Sequence, residues 1–573
     1  MSRSRSYRPT YKTPAPNPGG WVTLLIIVIM ACALCWPLTS GLVDRVGNFF
    51  SGAVQTITQE TPRPQGALIV AVSPEKAQLF DALVRAFNQQ NLKSSKGEAL
   101  TIATVPFDPA AMVDAALNGQ YQSLSPDSSI WLDELDRQVQ ARQGGAGLVG
   151  QTVRYAVTPI VIAMWRDKAQ ELGWPGQPIG WSELLDRATR DRNFKWSHPS
   201  TTSASGLLST LAMFYAGAGK TRGLTIDDVK SQAVLDYVGA LERTVRYYGE
   251  GELPTAQRVV QSGRDYLDAF VASEQVVWWA NQQPGVDLVA IYPKEGALWQ
   301  DHPLALLETP ELSDLNREAF QAFGNFVTSA AAQQIVLSQG YRPADLTIRL
   351  DTPGSPITPD NGVDPTQPQT ALQVPAPSVL DVVRESWLAY KRRTNVMLVV
   401  DTSGSMEGEK LSNVQTALTT FIDQIQSNDE RVGLIEFYSS VDELVPLDML
   451  KNNRSTLIGR VAQLEAGGDT SLIDGVSMAY DRLQALNDPE RINAIVVMTD
   501  GKENASVTSL RQVVAKLQQG NQRGVPVVVF GVAYGGDADL SALQAMAEAT
   551  NGQVYRGTVE TIKGLYKILS TYF

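Results

Sequence analysis

A chain of 573 residues with 43% hydrophobic and 19% charged side chains is too long for one compact core and has a globular composition, which predicts about three or four domains. Lys and Arg number 48 against 60 Asp and Glu, a formal net charge of −12, and Arg3, Arg5, Arg8 and Lys12 make the remainder more acidic still, so nucleic acid is excluded as a partner. Only His198 and His302 are histidines, which excludes a His-rich zinc site, and the two cysteines, Cys32 and Cys35, lie in one apolar segment and can staple nothing else.

The first element is that apolar segment, Trp21 to Leu38, eighteen residues without a charge and about the minimum for a helix crossing ~30 Å of hydrocarbon. Four positive charges precede it, whereas Asp44 and Arg45 are the first charges after it. The positive-inside bias therefore predicts a single-pass anchor over 21–43 with a cytoplasmic basic tail (1–20) and everything beyond outside the cell membrane. A cleaved signal peptide is the alternative, and Ile29-Met30-Ala31-Cys32 would suit lipidation at Cys32, although the apolar run continues past that cysteine. Residues 44–65, ending in TPRPQG, read as a stalk.

From residue 66 to 345 the pattern is α/β. GALIVAVSPEKAQLFDALVRAFNQQ reads as strand, Ser-Pro turn and helix, LTIATVPF as a second strand, and SEQVVWWA, DLVAIYP and LALLE as later short apolar runs. About 280 residues suffice for two lobes and a cleft. Ser73 before the first helix, and Thr201, Thr202, Ser203 and Ser205 before LLSTLAMFYAGAG, place hydroxyls and free N–H groups at helix starts. Such nests favour an anionic or polar ligand, with plain capping as the competing role. The GKT at Gly219-Lys220-Thr221 is no phosphate loop, because the first glycine of that motif would fall on Phe214.

This block resembles type II bacterial extracellular solute-binding proteins, the receptors of ABC importers, on AVSP (71–74), SPDSSIW (125–131), TPIVIAMW (158–165), HPSTTSASG (198–206), YPKEG (292–296) and GYRP (340–343). The resemblance implies a small solute held in a two-lobed cleft, with Ser73, Ser128, Trp131, Thr201, Thr202 and Ser203 as candidate ligand-binding residues. Trp131 is one of eight tryptophans in the block, and a tryptophan face can stack on a ligand or simply pack.

Between Asp351 and Ser378 lie seven prolines and no Lys or Arg, which predicts an extended linker over 346–378. The last block, 379–573, alternates apolar runs (395–400, 431–438, 494–499 and 525–532) with helical patterns (410–426, 472–486, 507–519, 539–550 and 558–572). That order predicts a doubly wound parallel sheet, whose sites stand at the carboxyl ends of strands. Asp401-Thr402-Ser403-Gly404-Ser405, Gly468-Asp469-Thr470-Ser471 and Thr499-Asp500-Gly501 fall at such ends, and two hydroxyls, a threonine and two carboxylates suit a hard divalent cation.

DTSGSM, GGDTSL and VVMTDG in that order are similar to the von Willebrand factor A domain and its metal-ion-dependent adhesion site. The resemblance implies Ser403, Ser405 and Thr470 as direct ligands of Mg²⁺ or another divalent cation, Asp401 and Asp500 acting through water, and one position left for a partner protein's Glu or Asp. A phosphatase of the haloacid dehalogenase type would need aspartate where Ser403 stands, and no catalytic set is expected. The expected protein is a bacterial membrane-anchored receptor or adhesion protein that grips one solute and one acidic partner. The alternative is the substrate-binding component of an ABC importer, with the C-terminal domain as an assembly module.

Overall fold

The computed structural model describes residues 65–557, save the single positions 108, 120, 145, 250, 346 and 426. The expected anchor, stalk and last helix lie outside the described residues. Among the described residues no helix is long and apolar enough to cross a membrane. Three sheets organise the rest.

The first lobe is built on a five-stranded sheet in the order Ile102–Pro106, Leu68–Val72, Ser123–Ser125, Pro303–Leu307, Val149–Arg154. The first three strands are parallel, and Pro303–Leu307 runs antiparallel to both its neighbours. Helix Ala77–Asn88 buries Leu79, Phe80, Leu83, Val84 and Phe87, the i, i+3, i+4 stripe that its sequence spells, against that sheet and against Phe320 and Phe323.

The second lobe centres on Ala156–Trp165, a long buried strand antiparallel to Ala269–Ser273, Leu288–Ile291, Trp299–Gln300 and Arg342–Pro343. Its eight consecutive buried residues, Thr158 to Trp165, read as an uninterrupted apolar run because both faces are covered. The lobes are joined where Val149–Arg154 passes through Tyr155 into Ala156–Trp165, where Trp299–Gln300 passes through Asp301 and His302 into Pro303–Leu307, and where helix Ala330–Ser338 returns to Arg342–Pro343. His302 holds φ at +35°, unusual for a side chain with a Cβ and a mark of a backbone constrained by its surroundings.

The proline-rich segment lies against the second lobe as a strap rather than standing off it. Ile357, Val363 and Leu372 are buried in that lobe's core, Gly362 O accepts from Ala290 N at 2.8 Å, and Ala371 bridges to Ala297. The helix that follows, Pro377–Tyr390, also packs there, burying Val379, Leu380, Val383 and Trp387 in the second lobe's core.

The C-terminal module has the sheet order Val441–Met449, Arg431–Phe437, Thr394–Asp401, Ile492–Thr499, Val527–Tyr534, Val554–Gly557, parallel except for the first pair. Strand alternation sends Val396, Leu398 and Val400 to the face covered by Glu409–Gln424 and Leu450–Val461. Met397 and Val399 go to the face covered by Leu472–Leu486, Leu510–Arg523 and Leu540–Glu548.

Candidate functional site

The carboxyl ends of the lobe strands meet around a buried polar cluster. Ser73 follows the first strand and is fully buried, yet it does not cap the turn that begins there: its Oγ accepts from Asp127 N at 3.0 Å. Lys76, one turn on, is buried too, and its ammonium donates to Pro126 O. From the second lobe Glu252 accepts from Ser273 N at 2.7 Å, and its carboxylate interacts with Gln300 and, electrostatically, with Asp127 of the first lobe. Burial holds the Lys76 ammonium down at about 7 despite nearby Asp127, Asp301 and Glu75. The same loss of water pushes the Glu252 carboxyl up to about 7, and Asp127 adds to that rise.

On the hinge strands, Thr158 Oγ1 and both ring nitrogens of His302 are buried with no hydrogen-bond partner among the described residues. Burial, with Lys76 close by, drives the His302 ring well below its usual range, so the imidazole is neutral and offers one donor and one acceptor. Buried polar atoms of this kind are costly when unmatched, and their convergence on one spot marks a place for a polar guest or for water.

Only part of the expected ligand set faces that cluster. Ser73 borders it. Ser203 is an N-cap, its Oγ accepting from Gly206 N and donating to Ser200 O, both at 3.1 Å. Thr201 is buried beside it and Thr202 is exposed. Ser128 Oγ accepts from Ile130 N at 3.4 Å, and Trp131 packs under Arg384, whose guanidinium lies 6.0 Å from the ring centroid. Lys76, Asp127, Glu252, Thr158, Gln300 and His302 were not among the expected residues. Lys76 stands three residues after Ser73 and Asp127 directly before Ser128, hydroxyls that the sequence singles out, the one signal that pointed toward them.

In the C-terminal module the five oxygen-bearing positions do converge. Ser403 Oγ and Ser405 Oγ are 3.2 Å apart, Ser405 Oγ donates to Asp500 Oδ1 at 2.5 Å, and a Cβ on Gly501 would sit 3.2 Å from both Ser405 Oγ and Thr470 Oγ1. Asp401, fully buried, accepts from Ser403 N at 2.8 Å and from Thr499 Oγ1. Its carboxyl is pushed up by burial, against which those bonds work.

The expectation of Mg²⁺ or another divalent cation here is corrected. Among the described residues no group of three or more His, Cys, Asp and Glu could hold a metal ion. Two carboxylates, Asp401 and Asp500, reach the cluster, and the Lys410 ammonium forms an ion pair with Asp500 Oδ2, so a cation of the protein's own already pairs with one of them. The residues do not fit the metal. With it go the adhesion-site reading of the function and the partner's Glu or Asp that was to complete the metal's shell. Lys410, four residues past Met406, was not anticipated because nothing in the spacing says which way its long side chain turns.

Comparison with known proteins agrees with the division seen in the fold. Residues 68–342 match the family described as bacterial extracellular solute-binding protein, and residues 395–568 match the von Willebrand factor type A domain. Among curated proteins, the human inter-alpha-trypsin inhibitor heavy chain H6 is 27% identical over 191 residues, 31% of this chain and 14% of that protein. The chain spans 14% to 20% of the length of the inter-alpha-trypsin inhibitor heavy chains it matches first. Among solved structures, the sulfate-binding protein SubI from Mycobacterium tuberculosis H37Rv is 18% identical, with 49% of this chain and 88% of that one covered at a TM-score of 0.36. A von Willebrand factor type A structure from Catenulispora acidiphila is 19% identical, covering 32% of this chain and 43% of that one at a TM-score of 0.28. Both matched families are binding modules rather than enzymes. The chain thus joins a segment similar to extracellular solute-binding proteins to a segment similar to the von Willebrand factor type A domain.

Proposed function

We propose that this chain is the solute-binding component of an importer, working outside the cytoplasmic membrane, with the von Willebrand factor type A module serving assembly. The segment 21–43 would hold it at the membrane, with 66–345 as the receptor module, 346–390 as the strap and helix packed on its second lobe, and 391–573 as the assembly module. The observation that carries this reading is the set of buried, unmatched polar atoms on Thr158 and His302 at the junction of two lobes. A cleft that closes on polar atoms and leaves them unsatisfied is unfavourable unless a guest supplies the missing bonds.

The charges around it narrow the guest. Asp127, Asp301 and Glu75 act on the single Lys76 ammonium, and Glu252 adds a further acid beside Asp127, so a multiply charged oxyanion would meet repulsion. A small neutral or cationic polar solute suits the cluster better, in contrast to the anion that hydroxyl-rich helix starts suggest. Deleting the gene should abolish uptake of one such solute, and protein purified from its native host should retain it in native mass spectrometry. His302→Leu with Thr158→Val should lose that retained mass. Unchanged uptake in the deletion strain, with no retained small molecule, would overturn the proposal.

A further inference from the structure

We propose a second ligand site, behind the hinge, for an apolar zwitterion of dipeptide size. It goes beyond the importer reading and does not depend on it. On the hinge strands Thr158 and Gln300 face the buried cluster, so by strand alternation their neighbours Val157 and Trp299 face the other way. There they line a cavity of about 580 Å³, within the ~300–1,000 Å³ range of small-molecule sites. Ser128, expected in the solute cleft, lines this cavity as well.

Three parts of the chain build it. The hinge supplies Val157, Leu298 and Trp299, and the strap supplies Ile348, Leu350, Leu372 and Val374, so the wall is apolar. Arg342 completes that wall, because its charge is spent: it donates to Glu274 Oε1 at 2.9 Å, again to Glu274 Oε2, and to Asp364 O at 3.1 Å, and it stacks 5.3 Å from the Trp299 ring.

The rim carries opposite charges with capacity left. Arg154 makes one long bond, Nη2 to Asp301 Oδ2 at 3.3 Å, and its side chain is 60% exposed, so its fork can turn to a carboxylate. Asp345 accepts from Thr347 N at 2.9 Å and Thr347 Oγ1 at 2.7 Å, both at Oδ1, which leaves Oδ2 for an ammonium. Asp301 Oδ1 accepts from Ser129 N at 2.8 Å. A simple anion would face Asp301 and Asp345, and a simple cation would face Arg154. A molecule with a free ammonium, a free carboxylate and an apolar body meets all three surfaces.

Titration calorimetry of the full-length chain with leucyl-leucine tests this. One molecule should bind, and Arg154→Ala and Asp345→Ala should each weaken it by about tenfold or more, as should N-acetylation or C-amidation of the dipeptide. Val374→Trp, at a position 40% exposed and so tolerant of bulk, should plug the cavity and abolish binding. Absence of binding at millimolar dipeptide would overturn the proposal. So would binding that survives Val374→Trp, or binding lost in Thr158→Val but indifferent to Arg154→Ala, which would place the dipeptide in the inter-lobe cluster.

Discussion

Glu252 and Lys76 titrate in the same range and pull stability in opposite directions. Because the folded Glu252 carboxyl ionises only at about 7, against 4.5 for the free side chain, the folded chain keeps a proton that the unfolded chain has released between those values. Stability therefore falls as pH rises from 4.5 to 7, by about 3 kcal/mol from this residue alone, and its contribution is flat above. Lys76 gives the mirror image, because the unfolded chain holds a proton between about 7 and 10.5 that the folded chain has lost, so stability rises again over that interval. Glu252→Gln should remove the acid limb and leave the alkaline one, read by urea unfolding between pH 4 and pH 9. A limb that persists in the variant would assign it to another group. None of this was visible in the sequence, where Glu252 is one acid in GEGELP and nothing signals that burial awaits it. The hydroxyls were legible as helix starts, and Ser203 behaves as one, but spacing cannot tell a hydroxyl that caps from one, like Ser73, that is taken by a loop 54 residues away. The same limit applies in the C-terminal module, where the five oxygens could be found by motif and the Lys410 ammonium among them could not.

The strands of both modules were readable as short apolar runs because covering both faces of a sheet leaves no polar side to blur the pattern. Less legible were Val441–Met449, an edge strand with exposed acids and Pro446, and Leu450–Val461, whose apolar stripe is weak. Helix Pro377–Tyr390 shows a different limit, since its amphipathic pattern declares a buried face without naming the module that buries it. Val379, Leu380, Val383 and Trp387 go into the second lobe, and Trp387 Nε1 donates to the buried Glu242 at 3.1 Å. Glu242 also takes the Tyr248 hydroxyl at 2.7 Å and lies 3.2 Å from His198 Nε2. A solute-binding fragment ending at residue 376 should therefore be less stable than one ending at 391. The loss should be at least about 5 kcal/mol, from four apolar side chains and an orphaned carboxylate network. Denaturant melts of the two fragments check it, and equal midpoints would move the module boundary to before the helix.

At the scale of the molecule, the same helix joins three bodies. Its Asp381 and Arg384 form ion pairs with Arg137 and Glu134 on the first lobe, its apolar face is buried in the second, and its end leads into Lys391 and Arg392 at the C-terminal module. There Arg392 N donates to Tyr248 Oη at 2.7 Å and Arg392 Nη1 to Val245 O at 2.6 Å. Arg258 and Asn551 add bonds between the second lobe and that module. The attachment to the second lobe is buried, whereas Arg137 and Asp381 are 37% and 39% exposed, so salt screens the first-lobe contact and spares the other. When the cleft opens, the C-terminal module should then travel with the second lobe and part from the first. Spin labels at the exposed positions Gln90, Asp186 and Gln518 would read this. Raising salt, or Arg137→Ala with Arg384→Ala, should lengthen and broaden the Gln90–Gln518 distance while leaving Asp186–Gln518 unchanged. If Asp186–Gln518 shifted instead, the hinge would lie between the second lobe and the C-terminal module, and closure of the receptor would be invisible to whatever that module assembles with.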